Sequence, residues 1–480
     1  LLYPDNTLQE AGCVVWRDRA AWNYGRGGDP DAPEHNYLRP ADYCSAAALM
    51  VRADLLRRAG GFDPAYAPAY CEDSDLCFRL RSFGYETYYQ PRARVVHREG
   101  TTHGTDTGAG IKACQVANRR KFVERWAGVL SHAHFANGMR IPRARDRSKY
   151  RRTVLVIDHE TPRPDRDAGS RTIGHFLRAL VDAGYVAKFW PRNLGYAPGY
   201  AEALQDMGIE TFHDPDHPSL AAWLRLNGRE IDHVLLCGPD VARDCLRDLR
   251  AHTHARIAYY GHDLHFRRLR LQGERLRQER TLREADRMEE REREIWRSVD
   301  TVLYPSEEEA AIVRAMEPGI PARAVVPYTF DAFAEPAPPP PEREVVFVAG
   351  FAHPPNEDAA EWLVRAVLPA LRARVPDARL TIAGSNPSAV VRGLAGPDVE
   401  LRANLNDAAL EALYAGARAR GRRRCRCGSA PGSNRRPSRP WRAASPWSPR
   451  PSARKDCRGS RRWRRSPAMR TGSPTRWPIC

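Results

Sequence analysis

Residues 153–190 read TVLVIDHETPRPDRDAGSRTIGHFLRALVDAGYVAKFW, and this stretch decides the fold of the chain. Its first six residues, TVLVID, form an apolar run that predicts a strand buried on both faces. A polar loop that contains Gly169 follows, and a helix is predicted from Ile173 to Ala183. The segment ends in YVAKFW, a second strand. A strand, a helix and a strand in this order predict a parallel β-α-β unit.

The same alternation continues along the chain. Three further strands are predicted, and they are HVLLC (233–237), RIAYYG (256–261) and TVLYPS (301–306). Together these elements predict an α/β fold with a doubly wound parallel sheet, which binds ligands at the carboxyl ends of its strands. Residues 265–298 carry many charges of both signs. This pattern favours one solvated helix with internal ion pairs over a nucleic-acid surface.

Two linkers are predicted before residue 421. The first, IPRARDRSKYRR (141–152), is basic and has no apolar period, and the second contains EPAPPPPER (335–343), which must be extended polyproline. The predicted division is a first domain (1–140), a basic linker (141–152), a second domain (153–333), a proline-rich linker (334–343), a third domain (344–420) and a tail (421–480).

The tail differs in composition from the rest of the chain. It holds 17 arginines, one lysine and one acid, a balance equal to the net charge of +17 of the whole protein. Because it has no apolar period to bury, we expect it to be disordered. Two explanations stay open. Either its arginines and tryptophans bind nucleic acid or an anionic surface, in a non-enzymatic protein, or it is a coding sequence read out of frame. GC-rich codons for the tail, read from the third base, permit the string FGAGVK.

The part before the tail, residues 1–420, is balanced in charge and has no apolar run near the roughly 18 residues that a membrane span needs. The start, LLYPDNTLQEAG, lacks the basic region of a signal peptide. The cysteines of residues 1–420 show no metal-binding spacing, which indicates scattered reduced thiols. These features predict a cytoplasmic protein with no specific nucleic-acid partner.

Residues 42–103 carry the most specific motifs. A GGFD turn (60–63) precedes the acidic run in CEDSDLCFRLRSFGY, and YETYYQ, a predicted strand, and VVHREG, which contains His97, follow. In this order the motifs resemble the carboxyl-terminal half of inverting family 2 glycosyltransferases, which have the GT-A fold. In that family the nucleotide-binding half, with its DxD metal motif, precedes this segment. No DxD follows an apolar strand in residues 1–60.

The acidic run supplies the candidate catalytic group. The resemblance implies that Asp73 is the general base that deprotonates the acceptor hydroxyl, with Glu72 beside it and Asp75 in the same turn. The alternative is that these acids only cap a helix, whose amino terminus favours negative charge. His97 is either a core histidine or, as the resemblance implies, a ligand of a divalent metal (Mg²⁺ or Mn²⁺) that bridges the donor diphosphate.

Residues 153–420 resemble family 4 glycosyltransferases, whose GT-B fold consists of two facing Rossmann-like domains. The similar motifs are PDRDAGS, YYGHDLHFRR and SVDTVLYPSEEE in the second domain, and VVFVAGFAHPPNEDAAEWLVRAVLPALRARVPDARLTIAGS and DAALEALYAGARA in the third. The resemblance implies a donor and acceptor cleft, and the residues that line it are Gly169, Ser170, His262, Asp263, Gly350 and Asn356. His265 completes an HDLH motif that is either a metal site or a satisfied turn. No metal is expected for this module.

Together the two resemblances imply a tandem bacterial glycosyltransferase, in which a partial GT-A module precedes a GT-B module with an incomplete second domain. Such an enzyme moves a sugar from a nucleotide-sugar donor to a saccharide or lipid-linked acceptor in surface polysaccharide synthesis. It is cytoplasmic, either free or associated with the inner face of the membrane. The donor half of the first module is missing before Leu1, and the FGAGVK loop of the family is missing after Ala419. We therefore expect little transfer by the chain as written.

Overall fold

The computed structural model describes residues 1–18, 20–98, 114–214, 218–326, 344–352, 354–416 and 419–421. No helix in these ranges combines the length and the apolar character that crossing a membrane requires. The predicted proline-rich linker lies outside the described residues, and so does the tail after residue 421. The expected disorder of the tail stays a prediction.

Among the described residues up to 145, the chain forms short strands and four α-helices. The strands are β1 (Cys13–Val15), β2 (Ala21–Asn23), β3 (Arg39–Pro40) and β4 (Tyr88–Tyr89). The helices are α1 (Ala53–Ala59), α2 (Glu72–Ser82), α3 (Cys114–Ala133) and α4 (Ile141–Arg145). β1 pairs with β2 and β3 pairs with β4, both antiparallel. The predicted strand YETYYQ therefore forms only at Tyr88 and Tyr89.

The predicted doubly wound sheet is present and has seven strands. They are β5 (Thr153–Asp158), β6 (Val186–Pro191), β7 (Glu210–Thr211), β8 (His233–Cys237), β9 (Arg256–Tyr260), β10 (Thr301–Tyr304) and β11 (Ala322–Ala324). Their order is β11-β10-β9-β8-β5-β6-β7, and all neighbouring pairs are parallel. The strand order reverses between β5 and β8. A crevice for ligands is therefore expected at the carboxyl ends of these two strands.

Helices accompany this sheet along the chain. They are α5 (Ala168–Asp182), α6 (Tyr200–Asp206), α7 (Leu220–Asn227), α8 (Pro239–His252), α9 (His265–Leu276), α10 (Glu279–Ser298) and α11 (Glu307–Met316). Successive residues of β5 contribute to two separate cores. Leu155 and Ile157 belong to one, and Val154 and Val156 belong to the other. The strand is thus buried on both faces, as its apolar run predicts.

Two helices differ from their predicted bounds. Helix α5 begins at Ala168, five residues before the predicted start, because Asp167 caps it by accepting a hydrogen bond from the Ser170 backbone N–H at 2.7 Å. The single helix predicted over 265–298 is two helices. The break lies at Arg277, which is left-handed with φ of 51°. A side chain at Gly273 would lie 2.8 Å from Leu282, so this glycine allows the two helices to pack closely.

The segment 141–152, predicted to be a basic linker, is compact and largely buried. It contains α4, and the side chains of Arg145 and Asp146 are each 3–5% exposed. The Arg145 Nη2 donates to Glu210 Oε2 at 2.7 Å in the adjoining sheet. From the first segment, the Tyr37 hydroxyl donates to Asp146. The members of this buried group, called the seam network below, are Tyr37, Arg39, Arg145, Asp146, Lys188 and Glu210.

A four-stranded parallel sheet forms the third segment. Its strands are β12 (Glu344–Val348), β13 (Arg379–Gly384), β14 (Val399–Ala403) and β15 (Ala419–Gly421), in the order β14-β13-β12-β15. Its helices are α12 (Pro354–Trp362), α13 (Leu368–Arg372), α14 (Ala389–Arg392) and α15 (Asp407–Gly416), and a π-helix (Leu363–Val367) joins the first two. This order corresponds to β7-β6-β5-β8 in the larger sheet, which are its first four strands along the chain. The correspondence confirms a second Rossmann-like unit.

Candidate active site

The acidic run lies where the sequence predicts, in the first turn of α2. Asp73 Oδ2 accepts a hydrogen bond from the Ala46 backbone N–H at 3.2 Å, and its Oδ1 accepts one from the Ser74 N–H at 2.7 Å. Among the described residues, no lysine, arginine or histidine forms an ion pair with this carboxylate. Burial raises the pKa of Asp73 above its ordinary value. Asp73 is therefore a carboxylate with little charge compensation, as a general base requires.

Asp75, two residues further, is fully paired. Its side chain is buried and accepts hydrogen bonds from Arg79 Nε at 2.6 Å, Arg125 Nη1 at 2.9 Å and Trp126 Nε1 at 2.9 Å. These contacts join α2 to α3. Asp75 thus holds the helices together, and the structure separates its role from that of Asp73.

Two further acids lie near Asp73. Burial raises the pKa of Glu72, and its Oε2 has no hydrogen-bond partner in the described part of the chain. Glu10, which no sequence motif indicates, is 5% exposed. Its Oε1 accepts a hydrogen bond from the Ser45 N–H at 3.0 Å, beside the amide that Asp73 binds. Burial raises the pKa of Glu10, and the charge of Asp73 raises it further.

The described hydrogen bonds of His97 go to Gln9 and Leu2 and not to these acids. Its Nδ1 is 3.0 Å from Gln9 Oε1, and its backbone N–H donates to the Leu2 carbonyl. No three histidine, cysteine or carboxylate side chains in the described residues are placed to hold a metal ion. The described surroundings of His97 therefore do not fit a metal site. The divalent metal stays a prediction from the sequence.

The crevice of the seven-stranded sheet brings Gly169 and His262 together. Gly169 is the second residue of α5 and not a loop residue as predicted. A Cβ at this position would lie 3.6 Å from His262 Cε1, an ordinary van der Waals distance, so the imidazole lies against the start of the helix. Burial lowers the pKa of His262. Its imidazole is therefore neutral near pH 7 and has both a donor and an acceptor nitrogen.

Ser170 and Asp263 are occupied by structural contacts. The Ser170 hydroxyl donates to Asp167 Oδ2 at 2.7 Å, which completes the cap of α5. Asp263 accepts from Arg268 Nε at 3.0 Å and lies 2.9 Å from His265 Nδ1. Burial acts against ionisation of Asp263, but His265 and Arg268 lower its pKa to about 2. The polar groups of the HDLH motif are thus paired within its own turn, as in the satisfied turn that was the alternative to a metal site.

Two other charged residues near this turn, Glu292 and Asp158, were not predicted from the sequence. Glu292, fully buried on α10, accepts hydrogen bonds from the Phe266 N–H at 3.0 Å and from the Tyr304 hydroxyl at 3.2 Å. It therefore anchors the start of α9. Asp158, at the carboxyl end of β5, accepts from the His159 N–H at 2.8 Å. The position of Asp158 directly after an apolar strand is the signal that could have found it.

Gly350 and Asn356 meet in the third segment. Asn356 Nδ2 donates to the Gly350 carbonyl at 2.6 Å, and Asn356 is 2% exposed. This bond ties the loop after β12 to α12. The structure places the two predicted residues together at the carboxyl end of a parallel strand.

Parts of the chain match known proteins. Residues 342–419 match the family described as "Glycosyl transferases group 1". The chain is also 36% identical over 75 residues to the N-acetylglucosaminyl-diphospho-decaprenol L-rhamnosyltransferase of Mycobacterium tuberculosis, a match that covers 16% of this chain and 24% of that protein. It is 39% identical over 56 residues to rhamnosyltransferase WbbL of Escherichia coli, covering 12% and 21%. These relatives are transferases, so the chain resembles enzymes that move sugars.

These matches are partial. The chain spans about a quarter of the length of the curated rhamnosyltransferases it matches. Among solved structures, a UDP-glucosyltransferase from Polygonum tinctorium aligns with 53% of this chain and 72% of that chain at 12% identity, with a TM-score of 0.31. A TM-score this low does not establish a shared fold. The assignment of the fold rests on the strand order and the parallel pairing described above.

Proposed function

We propose that this protein transfers a sugar from a nucleotide-sugar donor to a saccharide or lipid-linked acceptor in surface polysaccharide synthesis. The partial matches to rhamnosyltransferases and to group 1 glycosyltransferases support this proposal. The observation that carries it is the state of Asp73, a half-buried carboxylate without an ion-pair partner among the described residues, in a helical turn whose neighbour Asp75 is fully paired.

In the proposed reaction, Asp73 accepts the proton of an acceptor hydroxyl while the oxygen attacks the anomeric carbon of the donor. The new carbon–oxygen bond forms as the bond to the nucleoside diphosphate breaks, and the diphosphate leaves with the electron pair. A carboxylate whose pKa is raised toward the working pH is a better base than an exposed one. The amides of residues 46 and 74 hold this carboxylate in place.

The proposal includes a second, GT-B site in the crevice of the seven-stranded sheet. There His262, neutral and adjacent to Gly169, would hydrogen-bond a sugar hydroxyl. Gly350 and Asn356 would shape the donor side of the smaller sheet. Asp263 and Ser170 would act only by holding the turn and the helix on which the ligand-facing groups lie.

The proposal is tested with protein expressed from its own locus, with the flanking DNA retained. The protein is incubated with UDP-, GDP- and dTDP-sugars and an N-acetylglucosaminyl diphospholipid. Release of nucleoside diphosphate and the mass of the lipid product are measured. We expect release that depends on one donor and on the acceptor. Absence of both binding and turnover for every donor would overturn the proposal.

A further inference from the structure

The amino ends of three adjacent strands form a depression at the edge of the seven-stranded sheet opposite to the crevice. Its volume is about 610 Å³. Its charged and polar lining residues, called the basic depression below, are Arg152, Arg229, Asp232, His233, His254 and Arg256. Five of these six are arginine or histidine, although residues 1–420 as a whole are balanced in charge.

The strand register explains why these cations converge. His233 begins β8 and pairs directly with Arg256, the first residue of β9. On the other side His233 pairs with Val154 of β5, and Arg152 lies two residues before Val154. Residues two apart in a strand share a face, and neighbouring strands lie about 5 Å apart. Arg152, His233 and Arg256 therefore lie close together at the amino ends of three neighbouring strands, with Arg152 Nη1 3.4 Å from His233 Nε2.

Among the described residues, no carboxylate compensates the charge of these arginines. Asp232, the one acid of the lining, accepts hydrogen bonds from Arg143 Nη2 at 2.6 Å and from the Thr153 N–H at 2.7 Å. Across the described part of the chain, Arg152, Arg229 and Arg256 form no ion pair with a carboxylate. Burial lowers the pKa of His233, and the nearby arginines act in the same direction. The depression is thus electropositive, and it lies at the amino ends of β5, β8 and β9.

We propose that the basic depression binds a phosphate-bearing anion, at a site separate from both candidate transfer sites. Guanidinium groups bind phosphate oxygens through paired, charge-assisted hydrogen bonds. Arg152 and Arg256 lie on the two sides of His233, so their guanidinium groups and the imidazole can surround a phosphate. The phosphate belongs either to a soluble diphosphate or to the headgroup of an anionic lipid. This site does not depend on the proposed transfer activity.

Local chemical protection tests the site without interference from the arginines of residues 421–480. Diethyl pyrocarbonate modifies neutral imidazoles, and peptide mass spectrometry reports the modification of His233 and His254 separately. The full chain is treated alone, with inorganic pyrophosphate, with phosphatidylglycerol vesicles and with phosphatidylcholine vesicles. The remaining histidines serve as internal references. The double variant Arg152→Gln, Arg256→Gln is compared with Arg280→Gln, Arg323→Gln, which removes two exposed arginines outside the depression.

We expect pyrophosphate or phosphatidylglycerol, but not phosphatidylcholine, to slow modification of His233 and His254 in the wild type and in the control variant. The double variant should need at least about tenfold more anion for the same protection, because two charge-assisted contacts are lost. Protection by pyrophosphate assigns a soluble ligand, and protection by vesicles alone assigns a lipid headgroup. Absence of protection by both anions, or equal protection in the double variant, would overturn the proposal.

Discussion

Two pairs of carboxylates in this protein have opposite surroundings. In the seam network, Asp146 and Glu210 contact the cations Arg145 and Lys188. Burial alone would raise the pKa of both acids, yet these cations lower it below the ordinary value. Near α2, Glu10 and Asp73 accept hydrogen bonds from backbone amides but have no ion-pair partner among the described side chains. Burial raises the pKa of both.

The difference shows what each pair contributes. A buried acid that contacts cations supports the fold, because removing either partner leaves an uncompensated charge. A buried acid without a cation is a cost to stability at neutral pH, and such groups concentrate at sites where chemistry needs them. We therefore expect substitutions at the seam to change stability, and substitutions at Asp73 to change activity.

The largest expected effect is on sugar transfer by Asp73→Asn, measured as release of nucleoside diphosphate by protein from the native locus. Loss of a general base should lower the turnover rate by about 10² to 10⁴, with donor binding nearly unchanged. Asp54→Asn, at an exposed acid of α1, is the matched control and should keep wild-type turnover. If Asp73→Asn keeps wild-type turnover, Glu72 becomes the candidate base, since Asp75 is committed to Arg79 and Arg125.

The next effect is on stability. Glu210→Gln should lower the free energy of unfolding by about 3–5 kcal/mol, because it leaves the buried charges of Arg145 and Lys188 without their main partner. Urea denaturation followed by circular dichroism measures this loss. A loss below about 1 kcal/mol would mean that Asp146 alone compensates both cations, and that the seam does not need its second acid.

The pH dependence of stability should differ in sign between the two pairs. The folded pKa values of Asp146 and Glu210 lie below their ordinary values of 3.8 and 4.5, so their stabilisation is complete above those values and is lost as pH falls through the folded pKa values. The folded pKa values of Asp73 and Glu10 are raised, so the folded state loses stability as pH rises through them.

Unfolding free energies measured from about pH 3 to pH 7 test this contrast. The stability advantage of the wild type over Glu210→Gln should grow as pH rises through the ordinary pKa of a glutamate, because the unfolded chain then loses a proton that the folded carboxylate has already lost. The advantage of the wild type over Asp73→Asn should shrink over the same range. Parallel curves for the two variants would contradict the opposite surroundings of the two pairs.

The smallest effect is expected on the exposed surface of α10. There Glu289 and Asp286 both contact Arg270, with side chains that are 23% and 69% exposed. Asp286→Asn should change the unfolding free energy by no more than about 0.5 kcal/mol, because solvent screens exposed ion pairs. A change as large as that of Glu210→Gln would show that burial is not what separates the seam from the surface.

Much of the larger sheet could be predicted from the sequence. The strands β5, β6, β8, β9 and β10 each appear as an apolar run, because a strand covered on both faces must be apolar along its length. The short edge strands β7 and β11 have too few residues to form a pattern. The break at Arg277 was missed because residues 265–298 are charged throughout, and only the packing of Gly273 against Leu282 shows where the chain turns.

The candidate site was predicted in part. The motif order located Glu72, Asp73 and Asp75 in one helical turn, and the resemblance singled out Asp73 as the candidate base, but neither could show that Asp75 is paired with cations. Arg125 and Trp126, which engage Asp75, come from a helix about 50 residues further along the chain. Glu10 was missed for the same reason, since it reaches the site through the backbone of Ser45 and not through a motif.

The strands, the parallel α/β class and the location of the acidic turn could be predicted from the sequence alone, because these depend on local periodicity and on neighbours within a few residues. Only the tertiary structure decided which charges are paired. Arg145 and Glu210 are 65 residues apart in the chain, and the segment that contains Arg145 has the composition of a solvated linker. The energy of a charge depends on burial and on partners brought close by folding, and neither is written in the order of the residues.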